Sequence, residues 1–165
     1  MHPAEGQCDQ PIVRVSPVLR RAGQRAVRLT GLAVAAPCAA VLVLAAMLHP
    51  DSRGYDTHTQ LGLPPCGFVQ RTGLPCPTCG MTTAFSHLMR GRPLKALRTQ
   101  PFGAVLGVAT ILAAAAGFWQ AVSGRNVLGR LRPRPWWFWL LGAGVMVGWA
   151  AKIAIGLATG ELPIH

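Results

Sequence analysis

The chain has 165 residues, of which 51% are hydrophobic and only 13% are charged, and its formal net charge is +11. So few charges exclude an ordinary soluble domain, because such a domain uses about 25% charged residues. The basic residues flank apolar runs instead of forming one face of a fold, which excludes a nucleic-acid-binding protein. The composition favours a single small bundle of helices with the lipid bilayer as its partner.

The N-terminal part is predicted to be a basic tail, residues 1–28, followed by a first membrane span. The tail ends in Arg20, Arg21, Arg25 and Arg28, and residues 29–48 then carry no charge. A helix of that length is about 30 Å long, which matches the hydrocarbon core of a bilayer. Its basic region and apolar run are both too long for a signal peptide, so we expect transmembrane helix 1 to be retained.

The rest of the chain divides by the same reasoning into a cysteine-rich loop, two further spans and their connections. The third span opens with four aromatic residues behind a basic stretch, which is typical of an interfacial belt. The predicted fold class is therefore an all-α membrane protein with three transmembrane helices and a short amphipathic helix that follows the cysteine motif. The predicted segments are the loop 49–101 with a helix at about 78–89, transmembrane helix 2 at 102–122, a basic loop 123–135, transmembrane helix 3 at 136–158, and a tail 159–165.

Orientation follows from the Lys and Arg residues beside each span. The N-terminal tail carries five and the loop 123–135 carries four, which makes nine on one side, against six in the loop 49–101. The more basic side faces the cytoplasm. We therefore expect a cytoplasmic N-terminus, with the cysteine loop outside, in the periplasm or its equivalent.

The loop carries Cys66 and then the string Cys76-Pro77-Thr78-Cys79-Gly80, followed by a run with helical spacing. A C-x-x-C at the start of a helix favours thiolate over thiol, because the first amides of a helix are unpaired and its dipole is positive there. Pro77 suits the first turn, where its missing N–H costs nothing. The motif therefore predicts activated sulfur atoms.

The string Thr72 to Thr82, together with Cys66 and Gln100-Pro101, resembles the bacterial membrane proteins grouped as domain of unknown function family 2752. The resemblance extends over about residues 65–158. It implies a multi-pass protein of the inner (cytoplasmic) membrane and no established activity. Thr83 stands where the family usually has arginine, so a role for that arginine does not carry over to this chain.

The first interpretation of the motif is a metal site. Cys66, Cys76 and Cys79, with His58 as fourth ligand, would bind zinc or another thiophilic ion, since C-P-x-C-G is the tight turn of zinc knuckles. The protein would then be a membrane scaffold or accessory protein, with other membrane proteins as partners.

Two other interpretations stay open. Cys76 and Cys79 could form the redox pair of a membrane thiol–disulfide oxidoreductase, which also needs a quinone or partner-disulfide site that the sequence does not reveal. Alternatively, a metal or disulfide could merely staple a long loop. No acid–base or nucleophile–base pair, organic cofactor site or small-molecule substrate is recognisable. Whether the protein is an enzyme is therefore left open.

Three further features carry no assigned role. Lys152 is the single charge inside a predicted span, and we expect its ammonium group to reach toward the C-terminal interface. Gly103/Gly107 and Gly144/Gly148 have the spacing that allows helices to approach closely. Cys8 and Cys38 are given no function.

Overall fold

The computed structural model describes residues 17–130 and 134–159. Within these ranges the fold is entirely helical, without a strand. The α-helices are α1 (Pro17–Met47), α2 (Gly67–Thr72), α3 (Met81–Met89), α4 (Pro93–Thr99), α5 (Pro101–Ser123) and α6 (Trp136–Thr159), and 3-10 turns cover Thr57–Leu61 and Leu128–Arg130.

Three of these helices are long and apolar enough to cross a membrane, namely Arg21–Met47, Pro101–Ser123 and Trp136–Ala158. This confirms the predicted fold class. Helix α1 begins at Pro17, well before the predicted membrane segment at residue 29, because proline suits a first helical turn and the arginines that follow are good helix formers. Residues 1–16 of the predicted tail, including Cys8, and residues 160–165 lie outside the described ranges.

The cysteine loop contains three short α-helices where the sequence predicted one. The predicted helix at about 78–89 corresponds to α3, which begins at Met81 because the preceding residues form a turn. Helix α4 starts with Pro93 and ends at Thr99, and Gln100 separates it from α5, which begins with Pro101. Proline at both starts fixes the two boundaries, since its ring presets a helical φ and removes an amide that would have no partner.

Helices α1 and α5 form the central pair, and their closest approach lies at two glycines. A Cβ atom on Gly31 would lie 2.7 Å from the carbonyl oxygen of Gly117, so the backbones are in direct contact. Nearby, the Gln120 amide donates to the Val27 carbonyl at 3.0 Å and to the Thr30 hydroxyl at 2.9 Å. These contacts lock the end of the bundle that lies away from the cysteines.

Helices α3 and α4 cover the other end of this pair. Small residues permit the packing, with Ala84, Ala96 and Ala104 forming one buried cluster. The predicted Gly103/Gly107 spacing lies here, against α3, and Gly144/Gly148 lies against Phe102 of α5. Both glycine pairs are therefore places where an added side chain would collide with a neighbouring helix.

Candidate functional site: a three-cysteine cluster

The cysteine motif folds as a tight turn into α3. The Cys79 amide donates to the Cys76 carbonyl at 3.0 Å, and the Met81 amide donates to the Thr78 carbonyl at 3.2 Å. Gly80 has a φ of 87°, and a Cβ there would lie 2.5 Å from the Gly54 carbonyl oxygen. Glycine is required after the second cysteine because both the backbone conformation and the space exclude a side chain.

The turn brings three sulfur atoms together. The Sγ atoms of Cys76 and Cys79 are 2.8 Å apart, and those of Cys79 and Cys66 are 3.2 Å apart. All three lie within 4.8 Å of one another, so they are close enough to hold one metal ion. Cys66 precedes α2, and its amide donates to the Asp56 carboxylate at 3.2 Å. That hydrogen bond positions the third sulfur beside the motif.

His58, the predicted fourth ligand, is placed differently from the cysteines. Its Nε2 atom lies 3.1 Å from the Pro64 carbonyl oxygen, and its side chain lines the same cavity as the three cysteines. It does not belong to the cluster of ligand atoms found among the described residues. A ligand role for His58 stays a prediction.

The backbone of the motif is held by side chains from the membrane helices. Three alternate carbonyl oxygens each accept a hydrogen bond from α6 or from the residue that precedes α5. The pairs are Trp149 Nε1 to Pro75 at 2.7 Å, Gln100 Nε2 to Pro77 at 2.9 Å, and Lys152 Nζ to Cys79 at 2.9 Å. These bonds fix the turn in position and so fix the two sulfurs relative to the bundle.

Lys152 therefore connects α6 to the cysteine loop, in addition to the expected reach of its ammonium group toward the interface. Its ammonium group also donates to the Gly54 carbonyl at 3.3 Å and so joins the start of the loop to the cysteine turn. The sequence signal was present, because a lone charge inside a span indicates a functional or structural partner. Its partner, and the role of Trp149, could not be found from the sequence.

The two cysteines of the motif differ in acidity. Burial raises the pKa of Cys76, but the hydrogen bonds that its sulfur forms with Cys79 and Thr78 outweigh this effect and lower the pKa below its ordinary value. Burial, together with the hydrogen bonds to Cys76 and Cys66, raises the pKa of Cys79 well above its ordinary value. Cys76 is half-buried whereas Cys79 is buried, so Cys76 is the more nucleophilic sulfur.

A large, mostly apolar cavity of about 870 Å³ adjoins the cluster. It is bounded by α1, α3, α5 and the loop before Cys66. The cavity has a polar end at the cysteines and an apolar end beside Pro37, Val41 and Leu106. At the polar end, the hydroxyls of Thr57 and Thr83 lie 2.7 Å apart in a buried hydrogen bond. No local sequence pattern indicates this cavity, since its walls come from separate helices.

These features define a class, a three-span membrane protein with a thiol cluster in the loop between its first two spans. The family model described as a protein of unknown function (DUF2752) matches residues 66–114 and confirms the resemblance inferred from the motif. The match includes the three cysteines and α3, and it ends within α5. No curated protein and no solved structure matches the chain.

Proposed function

We propose that this protein is a membrane thiol–disulfide oxidoreductase whose exchanging pair is Cys76 and Cys79. The observation that carries the proposal is the unequal pair of sulfurs, 2.8 Å apart, with the pKa lowered at half-buried Cys76 and raised at buried Cys79. In such a pair, the more exposed sulfur with the greater thiolate character, here that of Cys76, exchanges with a partner, and the other closes the disulfide.

The exchange consists of two displacements. A thiolate of a partner dithiol attacks Sγ of Cys76 in the Cys76–Cys79 disulfide, the S–S bond breaks, and Cys79 leaves with the electron pair and takes up a proton. The partner's second thiolate then attacks the mixed disulfide and releases Cys76. The partner is oxidised by two electrons and the pair is reduced by two. The buried position of Cys79 directs the first attack to Cys76.

Cys66 gives the cluster a third thiol. Its sulfur lies 3.2 Å from Cys79, so it can exchange with the buried sulfur while Cys76 is joined to a partner. An external position of the loop, which the charge count favours, suits this chemistry because disulfides persist outside the cytoplasm.

The second candidate function is a metal site on a membrane scaffold or accessory protein. It is favoured by the three sulfurs within 4.8 Å of one another. Zinc bound by three thiolates would need one further ligand, for which His58 is the candidate from the sequence. We rank this function second because the described cluster supplies three ligand atoms, whereas a closed structural zinc site uses four.

The deciding experiment measures metal content and free thiols on the same detergent-purified sample, with Cys8 and Cys38 replaced by serine. For the redox pair we expect no stoichiometric metal and, with thiols counted by alkylation in denaturant, one free thiol after oxidation with oxidised glutathione and three after reduction with dithiothreitol. One zinc ion per chain, with three thiols protected until a chelator is added, would establish the metal site and overturn the redox proposal.

Cysteine variants provide a second readout. Cys76→Ser should abolish exchange and leave the melting temperature nearly unchanged, and Cys79→Ser should trap mixed disulfides through Cys76. At a structural zinc site, by contrast, losing Cys66, Cys76 or Cys79 would lower stability to a similar degree. Cys38→Ser is the matched control, since it removes a thiol that lies outside the cluster.

A further inference from the structure

A disulfide that oxidises other proteins is left as a dithiol and must be restored, and the cavity beside the motif adjoins both Cys76 and Cys79. We infer that this cavity binds the head ring of a lipid-soluble quinone, which takes the electrons from the cysteine pair. The inference rests on the proposed function, because a quinone site is useful only if the pair cycles between dithiol and disulfide.

The depth of the cavity suits a molecule that arrives from the bilayer. Along α1 it runs from Leu48 to Pro37, which is about 16 Å of helix, and on α5 it reaches Thr110, about 13 Å from the start of that helix. It therefore extends to about the middle of a hydrocarbon core roughly 30 Å thick. A ligand with a polar head and a long apolar tail fits these two ends.

The volume also matches a ligand site. At about 870 Å³ it lies in the range of about 300–1,000 Å³ that is usual for small-molecule pockets. A substituted ring and the first units of an isoprenoid tail fill such a space. Val41 and Leu44 of α1 and Leu106 of α5 supply the apolar wall that the tail needs.

The charges at the polar end of the cavity favour a ligand with a neutral head group over one with an anionic head group. Asp56 lines this end together with the three cysteines, whereas Lys152 lines a separate pocket on the other side of the turn. A phosphate headgroup beside the Asp56 carboxylate would be repelled. A neutral quinone would not be repelled, and its ring would lie at the end of the cavity that the cysteines line.

The reaction balances without another reactant. The thiols of Cys76 and Cys79 together lose two electrons and two protons as the S–S bond forms, and the quinone gains both to become the quinol. Each turnover therefore restores one disulfide and forms one quinol.

The experiment uses the full chain in detergent, reduced with dithiothreitol and freed of reductant under nitrogen. A short-chain ubiquinone and a short-chain menaquinone are added in separate arms, and quinone absorbance and free thiols are followed together. We expect one quinol and the loss of two thiols per chain with at least one quinone, and neither change in Cys76→Ser. The disulfide should form without a lasting quinone–thiol adduct in the mass spectrum.

A matched pair of α1 variants locates the site. The side chain of Val41 lines the cavity and is 48% exposed, whereas that of Val43 is 59% exposed and lies outside the cavity lining. Val41→Trp should slow quinol formation about tenfold, mainly by raising the quinone concentration that gives half the maximal rate, because the bulk occupies binding space that substrate and transition state share. Val43→Trp should leave the rate unchanged.

The outcomes separate the two proposals. A pair that cycles in glutathione buffers but reduces neither quinone would overturn the quinone site and leave the oxidoreductase standing. Equal rates in Val41→Trp and Val43→Trp would show that the reaction does not use the cavity, and co-purification of a phospholipid that quinone cannot displace would also overturn the inference. A pair that fails to cycle even in glutathione would remove both proposals.

Discussion

Cys76 and Cys79 lie three positions apart in the chain and yet have opposite surroundings. Cys76 is half-buried and its sulfur has hydrogen-bonding partners in Cys79 and Thr78, whereas Cys79 is buried beneath the turn. Both residues line the cavity and their sulfurs are 2.8 Å apart, so the difference lies in how much of each side chain the surrounding turn and helices cover. Identical residues in one motif thereby obtain different reactivity.

The pH dependence of alkylation should reveal this difference. Because the thiolate is the reactive form and the pKa of Cys76 is lowered, Cys76 should still react with iodoacetamide at pH values where an unfolded cysteine, with a pKa of about 8.5, has become slow. The raised pKa of Cys79 should keep it unreactive above that value. Peptide mapping of the reduced, chelator-treated protein measures both rates. A common midpoint for the two sulfurs would contradict the assignment.

The carbonyl contacts from α6 give a prediction of stability at single residues. Trp149→Phe keeps most of the ring but leaves the buried Pro75 carbonyl without its donor, and we expect the free energy of unfolding to fall by about 1–3 kcal/mol. Trp139→Phe, on the same helix but 82% exposed, should change it little. Thermal unfolding followed by circular dichroism compares the two variants, and equal melting temperatures would show that the contact contributes nothing.

Among the elements, the crossed pair of α1 and α5 forms the surface on which the shorter helices pack. Helices α3 and α4 pack on its end, and the buried cluster of Leu42, Ala45 and Phe85 joins α1 to α3. The Ser86 hydroxyl of α3 donates to the Ala45 carbonyl at 2.8 Å, and the Arg90 guanidinium donates to the Ala46 carbonyl at 3.2 Å. These bonds satisfy carbonyls in the last turn of α1, which have no partner within the helix.

Gly117→Ala tests the crossing. Its Cβ would lie 2.8 Å from the Gly31 carbonyl oxygen and 3.0 Å from the Ala35 amide nitrogen, and both of these are backbone atoms that cannot rotate away. We expect the helices to move apart and the free energy of unfolding to fall by about 1–3 kcal/mol. Gly142→Ala is the control, since nothing lies within 4 Å of its Cβ and alanine favours a helix. A melting temperature for Gly117→Ala at or above that of this control would contradict the close approach.

At the scale of the whole molecule, the three spans alternate in direction so that the cysteine loop lies at one end of the bundle. The end of α1, the start of α5 and the last turns of α6 meet there, since Lys152 contacts both the loop that follows α1 and the cysteine turn. This end also collects Arg53, Arg90 and Arg98, which explains why the charge asymmetry between the two sides is small.

Topology reporters test the proposed orientation. Fusions after Arg53, Asn126 and His165 should read external, cytoplasmic and external respectively, because nine Lys and Arg residues flank the spans on the N-terminal side against six in the cysteine loop. An internal signal at Arg53 would place the cysteines in a reducing compartment. It would then favour the metal site over the disulfide chemistry.

Sequence alone determined the three spans and the motif. A charge-free, apolar run of about 20 residues is most stable in the bilayer, where it must be helical. Its structure therefore depends on the run itself and not on its neighbours. The pairing of Cys76 with Cys79 was equally local, since the tight turn of the motif brings positions i and i+3 together. Helices α2 and α4 were not predicted, because short helices depend on packing more than on propensity.

Tertiary structure decided the rest of the site. Cys66 joins Cys79 across 13 positions, and Lys152 reaches the Cys79 carbonyl across 73. Contacts over such distances depend on how α1, α5 and α6 pack, which no local pattern specifies. The hydrophobic face of a spanning helix has the same kind of sequence whether it contacts lipid, another helix or a cavity. The cavity beside the cysteines therefore became visible only once the helices that enclose it were in place.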